Sequence, residues 1–221
     1  MLLAVVVTGT TPSITTPAGW TAIQNNVAPT GLACGLFLLN GPGNVGITGV
    51  TVTVGGSGGG AVAALFNFIG ASPATVDASG TQNGTGTSYS NFTVGVALPA
   101  GELLFYMVGF AAATLTPSNN AAWSGVLGAV VSTNGTPNAQ LGCFIVFNSG
   151  QVPFPSLGGS LSASVVNQEN QVHLGVPGTF TPVIGPGGAT FVGQSLNPAG
   201  PLEVPQPIGT GSFYSGTSGS F

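Results

Sequence analysis

Asp77, Glu102, Glu169 and Glu203 are the only carboxylate side chains in a chain of 221 residues, and His173 is the only imidazole. Two carboxylates can cleave a glycosidic bond when their surroundings hold one protonated and one ionised. The nearest two in sequence, Asp77 and Glu102, are 25 residues apart, so no single element carries such a pair. Asp77 is expected to cap a turn, Glu102 to stand beside a strand start after Pro99-Ala100-Gly101, and Glu169 to lie in the polar turn Asn167-Gln168-Glu169-Asn170. His173 alternates with Val172 and Leu174, which predicts that it points to the opposite, solvated or interface face of a strand. No Gly-x-Ser-x-Gly context offers it a nucleophile. One imidazole cannot build a His-based metal cluster, and no Asp/Asn/Gly calcium motif is present. The sequence therefore predicts a non-enzymatic protein, with no catalytic residue, cofactor site or metal site.

Cys34 and Cys143 lie in apolar runs that resemble each other, "GLACGLFLLN" and "QLGCFIVFN". They read as small buried hydrophobes. A disulfide is the alternative, which needs Cα atoms within about 7 Å; a reactive thiol is a third, weakened by the lack of cations to lower its pKa. Trp20 and Trp123 read as core or turn packing, with sugar stacking as the alternative. The Gly-rich stretch Val54–Ala61 lacks the Lys and Ser/Thr of a phosphate loop and reads as a hairpin or a place of close backbone approach. The sequons at Asn83, Asn91 and Asn134 are no more than the abundance of Asn, Ser and Thr produces by chance.

The elements that must position these residues are built from an unusual composition. Charged residues are 2 % of the chain and there is no Lys or Arg, against about 25 % charged in ordinary domains. Such a protein cannot neutralise phosphates, so neither nucleic acid nor an anionic membrane surface is an expected partner. It offers no site to trypsin-like proteases. A polar, nearly uncharged surface has little electrostatic protection against self-association, and fits a homo-oligomer or a subunit packed in an assembly. No apolar run reaches the roughly 18 residues of a membrane helix. The opening run lacks a basic flank and a long apolar core, so an ordinary secretory signal is not expected there.

Short runs of Val, Leu, Phe and Thr recur between Gly, Pro and Asn punctuation, and "ITGVTVTVGG" (47–56) alternates strictly. The predicted fold class is all-β, an antiparallel β-sandwich of jelly-roll type. Thr8–Pro17 and Ser79–Ser88 read as loops. An internal pseudo-repeat is also legible. "LLAVVVTG" is matched about 101 residues later by "LLFYMVGF", Trp20 by Trp123, and the Cys34 run by the Cys143 run. This gives a sandwich domain over 1–176 with halves of about 1–95 and 96–176. Residues 177–221 contain 10 Gly and 7 Pro, a low-complexity texture that predicts an extended assembly arm. Its Phe180, Phe191, Phe213, Tyr214 and Phe221 are the expected contacts with a neighbouring subunit.

Leu2–Leu3, Pro17–Thr21, Gly58–Phe68 and Pro73–Asp77 follow an order of motifs: a Leu-Leu strand, a Pro-Ala-Gly-Trp-Thr turn, a Gly/Ala-rich strand, then Pro-x-x-x-Asp. In these residues the chain resembles the β-sandwich modules of tailed-phage and prophage virion proteins, over roughly residues 1–176. The resemblance implies a structural protein of the virion, such as a capsid decoration, head-fibre or tail component. Its partners would be other virion subunits, and it would be assembled in the host cytoplasm. The alternatives are an extracellular filament subunit that polymerises by strand or arm exchange, and an adhesin module that binds a host-surface glycan.

Overall fold

Leu2–Thr8 is apolar up to its last residue, and as β1 it is buried at all seven positions. A strand apolar on both sides of its pleat requires cover on both faces, and the whole fold follows from that demand. The computed structural model describes residues 1–28, 31–40, 48–66, 74–90, 92, 102–113, 115–118, 129–132, 138–147, 158–175, 189–195 and 201–205. The strands after β1 are β2 (Thr10–Ile14), β3 (Thr21–Ala28), β4 (Leu32–Leu38), β5 (Gly49–Val52), β6 (Val54–Ser57), β7 (Gly60–Phe66) and β8 (Thr75–Ser90). They continue with β9 (Glu102–Ala111), β10 (Leu115–Ser118), β11 (Ala129–Ser132), β12 (Ala139–Phe147), β13 (Gly158–Gly175), β14 (Ala189–Ser195) and β15 (Leu202–Pro205). There is no helix among the described residues.

The fold is all-β, with every strand pair antiparallel. One sheet runs β14-β7-β1-β4-β3. The other runs β8-β13-β9-β12-β11, with β10 continuing beside β13 where β9 ends. Between them lies a core with Val6, Cys34 and Phe66 from the first sheet and Phe105, Met107 and Ile145 from the second. Phe66 and Phe105 meet edge to face at 5.1 Å, a favoured aromatic geometry. The other face of the first sheet is covered by the two-stranded pairs β2-β6 and β5-β15, which enclose Leu3, Val5 and Val7 with Val52, Leu202 and Val204. The outer face of the second sheet carries a third cluster that includes Tyr89, Leu104, Tyr106 and Phe144.

The two halves follow one strand plan. In the first, Leu2 faces Leu38 and Val6 faces Cys34 across β1 and β4. In the second, Leu103 faces Phe147 and Met107 faces Cys143 across β9 and β12. The strand after β7, which is β8, crosses to the second sheet and pairs with β13; the strand after β13, which is β14, crosses back and pairs with β7. Thus β8 of the first half borders the second sheet, and β14, which follows the second half, borders the first. The halves share a backbone irregularity as well. Thr11 (φ 51°) and Ala112 (φ 55°) are the described non-glycine residues in the left-handed region, and they are 101 residues apart, as are Val6 and Met107.

Three expectations are revised. Ser79–Ser88 is not a loop but the middle of β8, a strand of 16 residues. Its Gly and Thr are tolerated because β13 supplies a continuous backbone partner along most of its length. Within the predicted loop 8–17, residues 10–14 form β2. Beyond residue 176, the described parts of the tail lie on their own chain: β14 extends the first sheet, and β15 pairs with β5 and buries Leu202 and Val204. Alternation of Leu202 and Val204 with exposed Glu203 is a half-buried strand pattern, obscured in sequence by the surrounding Pro and Gly.

Candidate functional site

The residues with chemical potential converge on β8 and β13. Although it reads as a turn, the run Asn167–Gln171 lies inside the 18-residue β13 and is buried at every position. It is tolerated there because β8 and β9 flank it on both sides and bond its backbone. Burial of amides requires hydrogen-bond partners, and several of its side chains find them, although Asn167 Oδ1 and Gln168 Oε1 form no hydrogen bond among the described residues. Gln168 Nε2 donates to Asn83 Oδ1 (2.9 Å), and Thr81 Oγ1 donates to Asn170 Oδ1 (2.9 Å). Asn170 Nδ2 in turn lies 3.7 Å from Met107 Sδ in the core. Asn26 Nδ2 on β3 reaches Thr81 Oγ1 at 2.8 Å, and Gln24 Nε2 donates to the Gly80 and Gln171 carbonyls. These amides tie the edge of one sheet to the edge of the other.

Alternation sends Asn167, Glu169, Gln171 and His173 to the outer face of the second sheet. His173 does oppose Val172 and Leu174, as expected, but it is not solvated; the outer face is covered, and the ring is fully buried. Its Nε2 lies 3.2 Å from Gln171 Nε2, and burial pushes its pKa below the ordinary value, partly opposed by Asp77. Glu169 is 3 % exposed. Burial raises its carboxyl to about 7, against the opposing pull of Tyr106 and of the Ser90 backbone N–H. The Tyr106 hydroxyl lies beside the carboxyl, and Glu169 Oε2, Tyr106 Oη and Tyr89 Oη are buried without a well-formed hydrogen bond among the described residues.

The other sequence candidates are dispersed. Asp77 does not cap a turn; it is exposed within β8, at a register shift opposite His173 and Leu174. Glu102 is the first residue of β9. Glu203 is exposed on β15, where Thr51 Oγ1 donates to its two carboxylate oxygens at 3.0 and 2.8 Å. No group of three His, Cys, Asp or Glu side chains able to hold a metal occurs among the described residues. Cys34 and Cys143 are buried free thiols, both pushed above their ordinary pKa by burial, which disfavours the nucleophilic thiolate. Trp20 is half-buried against the outer core of the first sheet. Of the proposed arm contacts, Phe191 lies on β14 opposite Ala64, while Phe180, Phe213, Tyr214 and Phe221 fall outside the described residues, as does Trp123.

Among the described residues β8 is the longest strand whose side chains are mostly exposed. Eleven of its sixteen positions are exposed, Ala78 and three glycines are half-buried, only Tyr89 is buried, and Asp77 is its only charge. Among the described residues β8 pairs its backbone with β13 alone, and β3 reaches it through the Gln24 and Asn26 side chains. Natural edge strands of this length are usually guarded by Lys, Pro or burial; β8 has neither Lys nor Pro. Comparison with known proteins adds no identity: no family model, characterised protein or solved structure matches this chain.

Proposed function

We propose that this protein is a non-enzymatic structural subunit of a phage virion, a capsid decoration, head-fibre or tail component that associates with copies of itself or with neighbouring virion subunits. The observation that carries the reading is β8, a 16-residue strand that among the described residues pairs only with β13 and has no guarding cation or proline. A strand edge offers unpaired N–H and C=O groups in register, so association through it needs no charged side chain. That suits a chain with no Lys or Arg, and the tailed-phage motifs fall on β1, on the turn into β3, and on β7 and β8. The filament alternative has an observation of its own. Within one chain β8 already crosses to the second sheet and β14 crosses back to the first, and the same exchange between chains would give a polymer.

The test has two arms. In sedimentation at micromolar concentrations, wild-type protein should form assemblies, whereas Gln82→Lys/Thr85→Lys should remain a smaller species with unchanged far-UV circular dichroism. Immunogold labelling of particles released from the producing host should then decorate phage heads or tails. Gold on long non-phage fibres would favour the filament, and a monomeric wild-type protein absent from all particles would sink both.

A further inference from the structure

The chain contains no Lys or Arg, so an ionised Glu169 has few sources of compensation. The α-amino group is engaged with the Leu39 carbonyl at 3.0 Å, on the first sheet. The remaining cation, His173, sits on the same strand as Glu169 with Gln171 between them, and burial there disfavours its charged form. Among the described residues, the groups near the carboxyl are the Tyr106 hydroxyl from β9, the Tyr89 hydroxyl and the Ser90 backbone N–H from β8, and the Gln171–His173 pair of β13, with Asp77 of β8 on the far side of His173. Phe144 of β12 packs against both tyrosines at 6.1 and 5.9 Å. A carboxylate here would be a buried charge without a cation, an arrangement that proteins avoid by neutralising the group or by opening.

We propose that Glu169 is held as a neutral carboxylic acid in the folded protein, and that its ionisation loosens β8 from β13, making the seating of this edge strand sensitive to alkali. The acid form carries an O–H that can serve Tyr106 or Tyr89 as a donor, whereas the carboxylate only accepts. The direction follows from linkage. A carboxyl raised from 4.5 to about 7 binds its proton more tightly in the folded protein, so its stabilisation is complete below 4.5 and is lost as pH rises through about 7. His173 acts the other way: its lowered pKa adds stability above its ordinary 6.5 that is lost on acidification.

The proposal concerns one strand pair and does not depend on the virion reading. Hydrogen exchange, corrected for the intrinsic pH dependence of the amide rate, tests it on the full chain at pH 5 and pH 8. Protection of peptides spanning 79–90 and 165–175 should fall by roughly tenfold or more, while peptides of β1 and β4 keep theirs. Glu169→Gln should abolish the fall, and His173→Gln should retain it. The inference is overturned if Glu169→Gln keeps the wild-type pH dependence, or if protection is lost equally in both sheets. A second measurement needs no variant. Carboxyl labelling of the three glutamates should show one signal that titrates near neutrality, and three ordinary titrations would also overturn the proposal.

Discussion

Gly109 shows how little room the space between the sheets leaves. A Cβ added there would collide with Cys34 Sγ and stand 2.7 Å from Val6 Cγ2, so the thiol of one sheet rests on the bare backbone of the other. Close packing of this kind transmits any added volume directly to the neighbours. Gly109→Ala should therefore destabilise the protein by about 1–3 kcal/mol. Cys34→Ala removes the atom it strikes, so the double variant should be more stable than the sum of the single losses predicts, by about 0.5 kcal/mol or more. Urea midpoints of the four proteins measure the coupling, and strict additivity would show that the glycine matters for another reason. The same contact explains why the plain reading of Cys34 holds: it fills space as a small apolar group.

At the scale of elements, the repeated left-handed residue marks where each half bends away from its central strand. Thr11 falls at the register shift of β2 against β6, and Ala112 directly follows β9 and precedes β10. A left-handed backbone costs a non-glycine residue about 1–2 kcal/mol, and more for a β-branched one, while glycine adds about 0.4–1 kcal/mol of unfolded-state entropy. Thr11→Gly should consequently raise the melting temperature by a few degrees at most. Ala112→Gly should leave it nearly unchanged. A clear loss for Thr11→Gly in a thermal melt would mean that the Thr11 side chain contributes more than its backbone strain costs. Close backbone approach governs the neighbouring turn as well: a Cβ on Gly59 would collide with the Thr8 carbonyl oxygen, so the Gly-rich stretch before β7 is fitted to β1.

For the whole molecule, the C-terminal strands tie the layers together. Leu202 and Val204 are 2 % and 1 % exposed and pack with Val50 and Val52 over the outer face of the first sheet. Burial of each is worth about 1.5–3 kcal/mol, so a chain ending at Gly175 should lose several kcal/mol and unfold at a lower urea midpoint. An unchanged midpoint would restore the picture of a separable arm. Salt should matter little to folding or association, because no Lys or Arg is present to pair with the four carboxylates. Shortening the Debye length from about 10 to 3 Å between 0.1 and 1 M removes no ion pair of that kind. Dissociation of assemblies by sodium chloride alone, with the subunits still folded, would contradict this.

The sequence by itself determined the fold class, the central strands and their repetition. Unbroken apolar runs such as Leu2–Val7 need cover on both faces, and the matched Cys34 and Cys143 strands need the same neighbours in each half. Composition also determined that a buried acid could find little compensation, since the absence of Lys and Arg is a property of the whole chain. Only the tertiary structure decided that Asn167–Gln171 is interior, that His173 is covered, and that the tail's Leu202 and Val204 belong to the core. The physical reason is distance along the chain. Gln168 and Asn170 of β13 bond Asn83 and Thr81, 85 and 89 residues away, and until those partners are in place Asn and Gln favour turns and solvent. Local pattern reports what a segment prefers when alone, whereas burial of a polar strand depends on partners that only the folded chain brings to it.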